Sequence, residues 1–232
     1  MEILTVMFLI PSFTAGSIAG EREKQTLDIL LTTTLTPGEI IMGKLMSSIS
    51  MVFLLVVSSL PIISIVFTIG GIGMEDMIMF MLEILIISFF IGSMGMLAST
   101  MLKKTVQATV CSFAQIVLVC GGTVVVVIVA YIAAKLYYYN CMGAVGSMPD
   151  VSSVLFILLI NPAFTIVQMT AKHCESISVI SKAAGMLNGS MPSTIVDNWF
   201  RLSMISQMIV TVILLRISAI LLKPTRKKKT VS

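Results

Sequence analysis

Five long apolar runs, separated by polar intervals of very unequal length, dominate the chain. Ile3 to Gly20 carries no charge and contains Pro11. Leu45 to Gly71 is also uncharged and contains Pro61. Met77 to Leu102 holds one acid, Glu83; Thr105 to Ala134 holds no charge; Leu202 to Leu222 holds one base, Arg216. A helix needs about 20 mostly apolar residues to cross the hydrocarbon core of a bilayer. The pattern therefore predicts five spans, at residues 3–20, 45–71, 77–102, 105–134 and 202–222. Proline is tolerated in such helices as a kink, because neighbouring groups re-satisfy the freed carbonyl. A sixth apolar stretch, Val151 to Ile160, is too short to cross and stops at the turn signal Asn161-Pro162. It predicts a re-entrant or interfacial helix pair, 151–160 and 162–172; a plain amphipathic surface helix fits the same periodicity. The expected fold is all-α: a polytopic transmembrane helical protein forming a single transmembrane domain over 1–232, with five spans plus this external helix pair.

Composition agrees with lipid as the solvent. Hydrophobic residues make up 57% of the 232 and charged residues only 11%, against about 25% charged in an average soluble domain. A net charge of +4 is no case for nucleic acid, because the basic residues gather at the ends of apolar runs. One side collects Arg22, Lys24, Lys44, Lys103, Lys104, Lys223, Arg226, Lys227, Lys228 and Lys229; the other holds Lys135, Lys172, Lys182 and Arg201. The richer side is cytoplasmic by the positive-inside rule. This places the C-terminus inside and 135–201 outside in a plasma membrane, with the basic tail a secondary candidate for anionic lipid. Five spans then put Met1 outside, an unusual start that leads us to expect a further span upstream. Glu2, where a basic n-region would stand, argues against a cleaved signal peptide.

Chemistry-bearing residues are few. Cys111 and Cys120 lie within an apolar run as small apolar side chains. Cys141 and Cys174 fall in the external segment, where a disulfide and two unpaired thiols both fit. His173 has no neighbours in sequence to complete a metal shell, and the 19 methionines read as packing and lipid-facing residues. Glu83 is a candidate contact on a substrate path, since an intramembrane acid usually faces protein or water. The competing expectation is an acid near enough to the outer end, beside Glu75 and Asp76, to reach water. Arg216 snorkels toward the Lys223 end. Gly16/Gly20 and Gly121-Gly122 allow close helix approach. An intramembrane enzyme would need paired acids, Ser with Lys or His, or a zinc motif within the spans, and no such set occurs.

The long connections are where function is expected. In residues 21–44, Leu27, Leu30, Leu31 and Thr34 fall at i, i+3, i+4 and i+7, one face of a helix. Glu21, Arg22, Glu23, Lys24 and Asp28 surround that stripe with charge. Thr36-Pro37-Gly38-Glu39 is then a capping box with proline at the first helical position, so a second helix starts there and continues into the next span. Helix, sharp turn, helix is the expected shape, serving as a connector or as a docking knuckle. Gly38-x-x-x-x-Gly43-Lys44 has the spacing of a phosphate-binding loop, but Leu45 stands where Ser or Thr must hold magnesium, and no strand precedes it.

The run Ala15-Gly-Ser-Ile-Ala-Gly-Glu-Arg-Glu-Lys-Gln-Thr-Leu-Asp-Ile-Leu-Leu-Thr-Thr, followed by Leu-Thr-Pro-Gly-Glu-Ile-Ile-Met-Gly-Lys44, resembles the permease subunits of ABC-2 type exporters. Glu21, Arg22, Glu23, Thr26, Leu27, Leu30, Leu31, Pro37, Gly43 and Lys44 match the family's positions. Gln25 stands where glycine is common, and Asn161-Pro162 resembles the family's external re-entrant hairpin. The family normally has six spans with both ends cytoplasmic, so the resemblance implies a first span beyond the five expected here. The resemblance implies a permease that is not itself an enzyme, with no cofactor of its own, ATP and magnesium being held by a separate ATP-binding subunit. That subunit docks on 21–44, and a homo- or heterodimer of permeases lines the path. Within the coupling segment it implies Leu27, Leu30 and Leu31 as apolar anchors and Glu21, Arg22 and Glu23 as orienting charges. An ion-coupled secondary transporter or a non-transporting membrane subunit is the alternative, although the inverted repeat of such transporters is not visible.

Overall fold

The computed structural model describes residues 2–27, 32, 34–70, 73–141, 150–174, 179–187 and 192–222, apart from the side chains at 2–4, 63, 66–68, 70, 141 and 171–174. The described residues form helices and no strand: α1 (Glu2–Glu23), α2 (Pro37–Gly70), α3 (Met74–Met101), α4 (Thr105–Cys141), a 3-10 helix (Ser152–Ile160), α5 (Pro162–Cys174), α6 (Val179–Met186), α7 (Ser193–Asp197) and α8 (Trp199–Leu222). Four are long and apolar enough over their described residues to cross a membrane: Pro37–Ile62, Met74–Met101, Thr105–Asn140 and Trp199–Leu222. Ser152–Ile160 with Pro162–Thr170, bent by 104°, makes a fifth if the pair counts as one span. The first apolar run is helical throughout as α1 but is not one of the four. Cys141, His173 and Cys174 lie outside the described side chains, and the basic tail from Lys223 onward lies outside the described residues.

The chain divides into two compact units, residues 1–114 with 210–232, and 115–209. In the first, α1 and α3 lie side by side and parallel. Thr14 and Ala15 meet Gly95, while Ile10 and Thr14 meet Gly92. Further along, the Ser99 hydroxyl accepts the backbone N–H groups of Ile18 and Ala19, both at 2.9 Å. This closeness depends on glycine: a Cβ at Gly92 would lie 2.7 Å from Leu45 Cδ1, and one at Gly95 would overlap the Thr14 hydroxyl. Gly92, Gly95 and Ser99 follow helical spacing, the small-residue seam by which helices approach in lipid. The local sequence does not mark this seam. Its glycine pairs are Gly16/Gly20, which do face Thr105 of α4, and Gly121-Gly122, where a Cβ would meet no other helix within 4 Å among the described residues. Ile18, Leu27, Ile40, Ile41, Leu45, Ile49, Met96 and Leu222 form the apolar core beside the seam.

The second unit is built around the Asn161-Pro162 bend. The Asn161 side-chain amide donates to the Cys120 carbonyl at 3.0 Å and to Thr123 Oγ1 at 2.8 Å on α4, while its oxygen accepts the Phe164 N–H at 3.2 Å. One residue thus fixes the apex and caps α5. Thr165 and Ser203 hydroxyls lie 2.5 Å apart, Ser203 and Ser206 both donate to the Leu159 carbonyl, and Gln207 donates to Thr165 and Ser203. Buried polar groups need partners, and here they tie the hairpin to α8. Beneath them Leu155, Leu158, Ile180, Ala184, Leu187 and Trp199 form an apolar cluster, with Phe156 stacked on Trp199 at 6.2 Å. α6 and α7 fall in a stretch to which the apolar pattern assigned no element.

Candidate coupling site

The candidate coupling segment begins where α1 ends, and the ending is specific. Thr26 N–H bonds the Glu21 carbonyl at 2.9 Å and Gln25 N–H bonds the Arg22 carbonyl at 3.2 Å, the paired bonds of a Schellman stop. Gln25 takes φ 59°, the left-handed conformation that glycine adopts without a Cβ penalty. Ten residues on, Thr36 N–H donates to Glu39 Oε2 at 2.7 Å and Glu39 N–H donates to Thr36 Oγ1 at 3.3 Å. This is the reciprocal capping box that the sequence predicts.

Glu21, Arg22 and Glu23 each reach a different helix. Glu21 Oε1 accepts from Lys44 Nζ of α2 at 2.6 Å, and the same ammonium donates to the Ser17 carbonyl at 2.8 Å. Arg22 donates to the Thr100 and Leu102 carbonyls at the C-terminal end of α3, at 3.1 and 3.2 Å. Glu23 Oε2 accepts the Thr105 N–H at 3.1 Å and the Thr105 hydroxyl at 2.7 Å at the start of α4. The Thr105 hydroxyl and N–H, with a smaller contribution from Lys104, hold the Glu23 carboxyl below its ordinary range. Arg22 and Glu23 also have the right sign for the helix ends they meet, a cation at the C-terminus of α3 and an anion at the N-terminus of α4.

The remaining candidates divide. Leu27, expected as an anchor for a partner, is instead 7% exposed in the core with Ile18, Ile40 and Leu45. A leucine that close to the Schellman turn is drawn back onto the chain's own apolar face. Leu30 and Leu31 lie outside the described residues. Thr26 is exposed and its hydroxyl donates to the Glu21 carbonyl at 3.2 Å. Pro37 opens α2. Gly43 is exposed with nothing within 4 Å of an added Cβ. Gly38 lies in the first turn of α2 and Gly43 in its second, where the Gly43 N–H is committed to a helical bond, so the spacing does not form a loop that cradles phosphate. Among the described residues no cluster of His, Cys, Asp and Glu could hold a metal ion.

Glu83 departs from the expectation that it reaches water. It is 1% exposed, and both carboxylate oxygens lack a hydrogen-bond partner among the described residues. The reason is position: Glu83 is followed along α3 by the buried Ile84 and Ile87 on the packed face of the helix, whereas Glu75 at its start is exposed.

Long apolar helices around a tied, charged knuckle define a polytopic helical membrane protein. Its sequence matches the family described as ABC-2 family transporter protein over residues 2–224, and the chain belongs to that family. It is a membrane permease component of ABC transporters. No curated protein and no solved structure matches it.

Proposed function

We propose that this chain is the permease half of an ATP-driven exporter whose separate ATP-binding subunit, carrying ATP and magnesium, docks on the knuckle at 21–44. The observation that carries the reading is the triple tether at Glu21, Arg22 and Glu23. It joins a sharply stopped α1 to α2, α3 and α4, so a push on the knuckle reaches several apolar helices together. In this reading α1 crosses as the first span, the knuckle and C-terminus are cytoplasmic, the membrane is the plasma membrane, and two permease copies flank the path. Leu30 and Leu31, with the exposed Leu35, supply the apolar contact; Glu21, Arg22 and Glu23 act by holding the knuckle on its helices. Nucleotide closure shifts the permease only through a difference in docking energy between its two states. Glu83 is the proposed contact on the cargo path.

Affinity purification of the tagged full-length chain tests the reading. A phosphate-binding-loop ATPase is expected to co-purify, and Leu30→Asp or Leu31→Asp should reduce its recovery at least tenfold. Unchanged recovery with both variants refutes the docking role. Normal cargo export by Glu83→Gln removes Glu83 from the path.

A further inference from the structure

The tether has an unequal distribution. Lys44 and Glu21 join neighbours in sequence, across the knuckle itself. Arg22 and Glu23 reach about 80 residues further along, to the turn Leu102–Lys104 that links α3 to α4. The two ends of that turn carry opposite helix-dipole charge, and consecutive residues of opposite sign meet them in the matching order. Thr105 is the centre of the seat. Its hydroxyl and N–H both bond Glu23, an ideal Cβ on Gly16 would lie 3.3 Å from its methyl, and one on Gly20 3.7 Å from its hydroxyl. Gly16, Gly20 and Glu23 are spaced i, i+4 and i+7, so one face of α1 is shaped around this single side chain. Nothing in the local sequence of α4 requires such a seat; a helix start needs only a cap.

We propose that Thr105 is a positioning residue that locks the α3–α4 turn to the end of α1, so that knuckle and turn move as one body when the ATP-binding subunit closes. The inference rests on the docking reading above. Without the lock, a push on the knuckle would reach α2, which is continuous with it from Pro37, and α3, which Arg22 and the glycine seam hold to α1, but not α4. With it, α3 and α4 are carried along by their cytoplasm-facing ends.

The test uses the full chain in complex with its ATPase in lipid nanodiscs, spin-labelled at Lys24→Cys and Lys103→Cys, both exposed positions. Distances are measured by pulsed electron resonance, nucleotide-free and with ATP trapped; a label at Val110→Cys, also exposed, reports lipid-side quenching of α4. With native Thr105, the 24–103 distance should be the same in both states while the Val110 signal changes with nucleotide. Thr105→Val should leave ATPase co-purification intact, make the 24–103 distance shift on trapping, and reduce the Val110 response several-fold; Thr105→Ser should restore both. A 24–103 distance that changes with nucleotide in the native background overturns the inference, as does a Thr105→Val chain that responds like the parent. Complex formation is read first. A wild-type chain that captures no ATPase overturns the docking reading and this inference with it, whereas a formed complex with a moving turn overturns the inference alone.

Discussion

Adding one methyl group at Gly95 should cost this protein more than a methyl anywhere else along its described glycines. An ideal Cβ there would overlap the Thr14 hydroxyl and lie 3.0 Å from Thr14 Cβ and 3.4 Å from the Ala15 nitrogen. The obstacles include a Cβ and a backbone atom, neither of which can swing aside as a side-chain tip can. Thr14 is fully buried and its hydroxyl already donates to the Ile10 carbonyl at 2.8 Å, so rotation away would break a buried bond. Overpacking costs about 1–3 kcal/mol, and these neighbours place Gly95→Ala at the upper end. The intrinsic helix preference of alanine over glycine returns about 1 kcal/mol, leaving a net loss of about 2 kcal/mol. Gly121→Ala is the matched control: nothing lies within 4 Å of its Cβ, so it should gain up to about 1 kcal/mol by the same preference. Reversible unfolding in mixed detergent micelles, followed by circular dichroism, measures both. Combining Gly95→Ala with Thr14→Ala should recover only part of the loss, because the Cβ–Cβ contact at 3.0 Å remains. Equal stability of Gly95→Ala and Gly121→Ala would refute the close approach of α1 and α3.

Three further outcomes follow from the geometry. Gln25→Gly should raise stability by about 1 kcal/mol in the same assay, since a left-handed residue with a Cβ costs about 1–2 kcal/mol and glycine returns part of that as chain entropy; a loss would contradict the positive φ. Glu83→Leu should stabilise the fold by about 1–3 kcal/mol, the cost of burying an unpartnered polar group, while lowering export of the cargo; a less stable variant would show that the carboxyl has a partner in the folded protein. For Glu23, whose folded pKa is depressed by Thr105, the tether's contribution is present above the unfolded carboxylate value of about 4.3 and is lost as pH falls through the folded value below it. The stability gap between wild type and Glu23→Gln should therefore be full at pH 7 and close only in acid, as pH falls below the unfolded value and through the depressed folded one; a gap unchanged on acidification would remove the ionised carboxyl from the tether.

Much of this architecture is a property of the sequence read locally. Hydropathy alone determines that runs such as Met77–Leu102 and Thr105–Ala134 become long helices, because an apolar run of that length with at most one charge has no stable home in water and must bond its own backbone in lipid. The capping box at Thr36 and Glu39 and the break at Asn161-Pro162 are equally local, set by side chains within a few residues of the backbone groups they satisfy. Tertiary structure alone decided the partners. That Arg22 and Glu23 grip the turn after α3, that Leu27 folds inward, that Gly92 and Gly95 form the seam while Gly121 and Gly122 do not, and that Glu83 is sealed from water all depend on which helix face meets which. In lipid that choice is made by close packing and polar contact between distant segments, and neither leaves a mark on the hydropathy of a single helix.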